Sequence, residues 1–74
     1  MDFADAVIAL EDENALTVED KDQDEQRFKT LGMGPYADVL FVVHAERLGN
    51  GIRIIFARRA DRKEIRQYYR VLKR

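Results

Sequence analysis

The spacing of apolar and polar positions along the chain predicts six elements. Residues 3–13 read as a short amphipathic helix capped by Asp2, with Phe3, Val7 and Leu10 on one stripe and Ala6 beside them. Glu11, Asp12 and Glu13 then place negative charge at the end of the helix dipole that disfavours it, which helps to stop the helix near Asn14. Residues 15–20 alternate as a strand does, with Leu16 and Val18 on one side and Thr17 and Glu19 on the other. After the solvated stretch 21–26, residues 27–33 form a second strand: Phe28 and Thr30 share a face, and Arg27, Lys29 and Leu31 share the opposite one. Gly34-Pro35 marks a turn. Residues 38–47 are apolar on both faces as far as His44, the pattern of a central strand covered from both sides.

Leu48-Gly49-Asn50-Gly51 reads as a hairpin turn, because asparagine and glycine tolerate positive φ. Residues 52–60 return as the fourth strand. Simple alternation sets Arg58 on the face of Ile52, Ile54 and Phe56, and Arg59 with Arg53, Ile55 and Ala57. The last element is a basic helix. Asp61 and Glu64 form a variant of the capping box, and Ile65, Tyr68, Tyr69 and Leu72 recur at helical spacing, with Tyr68 and Tyr69 read as core anchors rather than base-stacking platforms. The expected fold class is α+β: a four-stranded antiparallel meander with an N-terminal and a C-terminal helix packed against it.

Composition narrows the chemistry. With 74 residues the chain holds one domain, residues 1–74, and a core of marginal size. The absence of cysteine removes disulfides and thiolate metal sites, and a lone histidine makes a zinc site unexpected, so neither metal nor cofactor is anticipated. The longest apolar runs are five residues, too short to span a membrane, and the N-terminus lacks the basic leader of a signal peptide; a cytoplasmic location is expected. The net charge of −1 hides a polarity: residues 1–26 sum to −9 and residues 27–74 to +8. Nine arginines against four lysines add the planar fork that matches phosphate. A polyanion such as RNA is one partner for the basic half; pairing with the acidic half is the structural alternative.

The stretch VVHAERLGNGIRIIFARRADRKEIRQYY resembles the BrnT-type toxins of bacterial type II toxin–antitoxin systems, which carry a Val-Val-His-Thr-Glu-like strand, an Ile-Arg-Ile-Ile-Ser-Ala-Arg-Arg-Ala run and a basic helix. FADAV at 3–7, ALTVEDKD at 15–22 and the Glu25-Gln26-Arg27-Phe28 to Leu31-Gly32 segment are similar to earlier parts of that family. The resemblance covers nearly the whole chain. It begins after the strand and helix with which family members start, so the chain is expected to be an N-terminally shortened domain whose open sheet edge favours pairing with another copy. The resemblance implies a RelE-like fold, metal-independent cleavage of RNA, and inhibition by a cognate antitoxin protein. A second expectation stands beside it: a catalytically degenerate homologue that binds antitoxin or RNA and cuts nothing.

Cleavage through the 2′-hydroxyl needs cationic donors for the charged phosphorane and groups that move protons. Together with the resemblance, this nominates Arg58, His44, Arg59 and Lys29 as catalytic candidates, with Arg58 at the rim of the Ile54 face as a phosphate clamp. The structural alternative for Arg58 is an ion pair with the acidic N-terminal half. For His44 it is a hydrogen-bonded core histidine; for Arg59, a helix-capping or solvated arginine; for Lys29, surface charge. Arg27, Arg47, Arg53, Arg62 and Arg66 are candidate RNA-binding residues, with Arg53 alternatively pairing across strands with Glu46 or Asp38.

Overall fold

A computed structural model describes residues 1–21, 26–46 and 51–72. The order is α1 (Phe3–Leu10), β1 (Leu16–Asp20), β2 (Arg27–Met33), β3 (Val39–Glu46), β4 (Ile52–Arg59) and α2 (Arg62–Leu72), as the apolar pattern predicts. The expected loop at 21–26 and the turn at 48–51 fall largely on residues 22–25 and 47–50, outside the described residues. Candidate Arg47 also lies there.

The four strands form one antiparallel sheet in the order β1-β2-β3-β4. Gly34 N–H donates to the Asp38 carbonyl at 2.8 Å and closes the turn between β2 and β3. The two helices cover opposite faces. Ala6 and Ala9 of α1 pack on Leu40, Val42, Ile54 and Ala57; Tyr68 of α2 packs on Leu31 and Val39, with Phe41 and Ile65 beside them. β3 is therefore sandwiched, as its two apolar faces require. Burying Leu40 and Val42 contributes about 1.5–3 kcal/mol each.

Tyr68 is buried as a core anchor, but Tyr69, expected to be one too, is exposed; two further local expectations are corrected. The first concerns α1, which is shorter than residues 3–13 and turns a different stripe inward. Its buried residues are Ala6 and Ala9, each 0% exposed, whereas Phe3 and Val7 face outward. The reason is a close approach: a Cβ on Gly32 of β2 would lie 2.0 Å from the Ala9 carbonyl oxygen, so only small residues fit between helix and sheet. The helix stops where Asp12 turns away to accept hydrogen bonds from Met33 N–H at 2.8 Å, Tyr68 Oη at 2.5 Å and Asn14 N–H at 3.0 Å.

The second correction lies in β4. The register shifts between Val43 and His44, so that Ile54 opposes His44 while Phe56 opposes Val43. This bulge adds one residue to β4 and breaks the alternation at Ile55. Ile54 and Ala57 thus face α1, whereas Arg53, Phe56 and Arg58 face the side of α2. Arg58 does not share a face with Ile54, nor Arg59 with Arg53.

Candidate functional site

The shift in β4 decides where the cations gather. Across the α2-side face, three ladders of opposed residues run from β1 to β4: Leu16, Leu31, Phe41 and Arg58; Val18, Lys29, Val43 and Phe56; Asp20, Arg27, Ala45 and Arg53. α2 covers only the first ladder, at the Leu31–Val39 end. On the other two, Val18, Lys29, Phe56 and Arg53 are exposed, whereas Ala45 is buried. Four of the candidates, Arg27, Lys29, Arg53 and Arg58, lie on this one face. Lys29 Nζ, about half exposed, stands a loose 3.8 Å from the mostly buried Asp20 carboxylate on the edge strand.

Arg58 is firmly held. Its guanidinium lies 4.3 Å from the centre of the Phe41 ring and grips Glu64 with two hydrogen bonds of 2.8 and 3.0 Å. Nη1 also donates to the Arg59 carbonyl at 3.1 Å. Glu64 is at the same time the capping residue of α2: its Oε1 accepts from Asp61 N–H at 2.9 Å, and Asp61 Oδ1 accepts from Glu64 N–H at 2.8 Å. The hydrogen bond that Arg58 donates to Glu64 raises the Arg58 pKa further and lowers the Glu64 pKa. The ion-pair partner is thus in the capping box rather than in the acidic N-terminal half. The Arg58 side chain keeps 39% of its surface exposed, while its fork is engaged by Glu64.

His44 sits on the other side of the sheet, beneath α1. It is 7% exposed, stacks on Phe28 with ring centres 5.6 Å apart, and shares a 2.8 Å hydrogen bond through Nε2 with Thr30 Oγ1. Thr30 shares another of 2.8 Å with Thr17, which forms a short polar chain across three strands. Burial lowers the His44 pKa, against the opposing effect of Glu46. The sheet therefore separates His44 from Arg58 and Lys29. Arg59 also lies on the α1 side, opposite Leu40, exposed and 3.5 Å from Asp38. As expected for adjacent strand residues, Arg58 and Arg59 serve opposite faces. Arg62 and Arg66 are exposed on α2, and Arg66 lines a shallow depression with Ile65, Tyr69 and Arg70.

Sequence reasoning overlooked Glu64 as a partner of Arg58, because the capping box accounted for it as a helix signal. Phe41 and Asp12 were overlooked too: one was read as strand core and the other as a helix stop. The glycine inside β2 is a signal that does point to close backbone approach.

No helix among the described residues is long and apolar enough to cross a membrane. No curated protein matches this sequence. Residues 1–64 match the family described as "Ribonuclease toxin, BrnT, of type II toxin-antitoxin system", a span that runs from α1 through the basic sheet face to the capping glutamate, Glu64. A cognate antitoxin and an RNA substrate are implied by that match. The chain belongs to the BrnT family of ribonuclease toxins of type II toxin–antitoxin systems.

Proposed function

We propose that the open α2-side face of the sheet is where this toxin meets its RNA, and that Arg58 and Lys29 stabilise the transition state of metal-independent cleavage. The observation that carries this reading is the register shift in β4, which collects Arg53 and Arg58 on the face of Arg27 and Lys29. When a ribose 2′-hydroxyl attacks the adjacent phosphorus, charge builds on the phosphoryl oxygens. Fixed donors aimed at that charge are the largest contribution such a site makes. Arg58, clamped by Glu64 and Phe41, is fixed in this sense; Arg27 and Arg53 hold the flanking backbone, with Arg62 and Arg66 of α2 extending the basic surface. His44 and Arg59 are assigned to the fold in this scheme, since both lie on the opposite face. Antitoxin binding over the same basic face would block RNA access.

The experiment is cleavage of single-stranded RNA by the purified protein in EDTA. Arg58→Lys keeps the charge but loses the planar fork, and it is expected to slow cutting at least about tenfold. Lys29→Ala is expected to act in the same direction, and Glu13→Gln, remote and exposed, to cut at the wild-type rate. Undiminished cutting by both Arg58→Lys and Lys29→Ala would remove this face from the mechanism. A second reading is favoured by the engagement of Arg58 with Glu64 and by the burial of His44: a degenerate toxin that binds RNA or antitoxin without turnover. Tight RNA binding by the folded wild-type protein, with no cleavage, would select it.

A further inference from the structure

Phe56 is a large aromatic side chain left 50% exposed on the outer strand β4 of the sheet. It stands opposite Val43, with Lys29 next along the same ladder and Val18 at the edge. Along its own strand it lies between two guanidinium-bearing residues on the same face, Arg58 two positions on and Arg53 on the other side of the bulge. At roughly 3.3 Å per residue, Arg58 is anchored about 7 Å away. Here an aromatic ring stands between cations along one strand. It is the arrangement by which open sheets hold single-stranded nucleic acid, with a base stacked on the ring and its phosphates on the flanking cations.

We infer that Phe56 is a nucleobase platform, and that the ligand of this face is unpaired RNA, gripped as phosphate, base, phosphate along β4. This inference rests on the proposal that the α2-side face binds RNA. The occupant follows from charge complementarity: among the described residues, Arg27, Lys29, Arg53 and Arg58 on this face outnumber its acids, Asp20 at the far edge, opposite Arg27, and Glu64 of α2, which holds Arg58. A base inside a duplex has both faces stacked, so paired RNA cannot use the ring.

Binding of three probes separates the contributions: a short single-stranded RNA, the same backbone with abasic positions, and an RNA duplex. Wild-type protein is expected to prefer the single strand to both others. Phe56→Leu, which stays apolar but loses the flat face, is expected to weaken single-strand binding roughly 5- to 150-fold and to leave abasic binding unchanged. Phe56→Tyr is expected to retain the preference. Lys29→Ala should weaken single-strand and abasic binding equally, since it removes a phosphate contact. If wild type binds no RNA, the basic-face proposal falls and the platform with it. If wild type binds single strands but Phe56→Leu binds them equally well, the platform alone is overturned; loss of antitoxin binding in that variant would then assign the ring to a protein interface.

Discussion

Replacing Gly32 by alanine is expected to cost about 3 kcal/mol of folding stability, at the upper end of what overpacking a core does. A domain of this length has about 4–11 kcal/mol in total, so one methyl group removes a large share of it. The methyl carbon would sit 2.0 Å from the Ala9 carbonyl oxygen and 2.7 Å from the Ala9 carbonyl carbon. Both are backbone atoms, so no side-chain rotation relieves the clash. α1 must lift from the sheet, and the contacts of Ala6 and Ala9 with Leu40 and Val42 loosen with it. The melting temperature is expected to fall by roughly 12–24 °C. Ala9→Gly should not rescue the variant, because the obstructing atoms remain. A Gly32→Ala protein that melts within a degree or two of wild type would show that α1 does not approach β2 this closely.

Asp12→Ala is expected to be of similar size, about 3 kcal/mol, for a different reason. The carboxylate accepts from the Met33 N–H and the Tyr68 hydroxyl, and its loss leaves both donors without a partner in a partly buried position. Asp12→Asn should cost less, since an amide oxygen still accepts. The pH dependence follows from the direction of two shifts. Burial pushes the Asp12 pKa up, but hydrogen bonds from Tyr68, Met33 and Asn14 outweigh it and bring the value below the ordinary 3.8. Its contribution is therefore present above about pH 4 and is lost as the pH falls through the lowered value. Burial first, and the Asp12 carboxylate second, push the Tyr68 pKa up to about 12 from 10.0. That contribution is complete below the unfolded value and is lost as the pH rises through the folded one. Denaturant titrations across pH should show the gap between wild type and Asp12→Asn narrowing in acid, and the gap between wild type and Tyr68→Phe narrowing in strong alkali. A gap constant across both limbs would mean that the bond contributes nothing.

The order of elements and the division of the faces of β1, β2 and β3 were legible in the sequence because period-two alternation is local. β4 was not. In IRIIFARRA both faces carry apolar residues, so a one-residue bulge leaves no mark in the pattern, yet it reassigns Arg53 relative to Arg58. For α1 the pattern misled in another way: hydrophobicity selected Phe3 and Val7, while the available space selected Ala6 and Ala9. The candidate arginines could be named from composition and resemblance, but their grouping depends on the three-dimensional register. His44 illustrates the limit. Its type suits proton transfer, and only the fold shows that the sheet lies between it and Arg58.

The strands neighbour one another in space as they do along the chain, so each ladder of the sheet can form by closing a short loop. The hydrogen bond between Asp12 and Tyr68 joins residues 56 positions apart. Closing that span early carries the larger entropic cost, so the bond is expected to form after the rate-limiting step of folding. Tyr68→Phe is accordingly expected to speed unfolding and to leave the folding rate unchanged in stopped-flow kinetics. The lifetime of the folded toxin, rather than the time it takes to fold, is what this tie between the two ends of the chain sets.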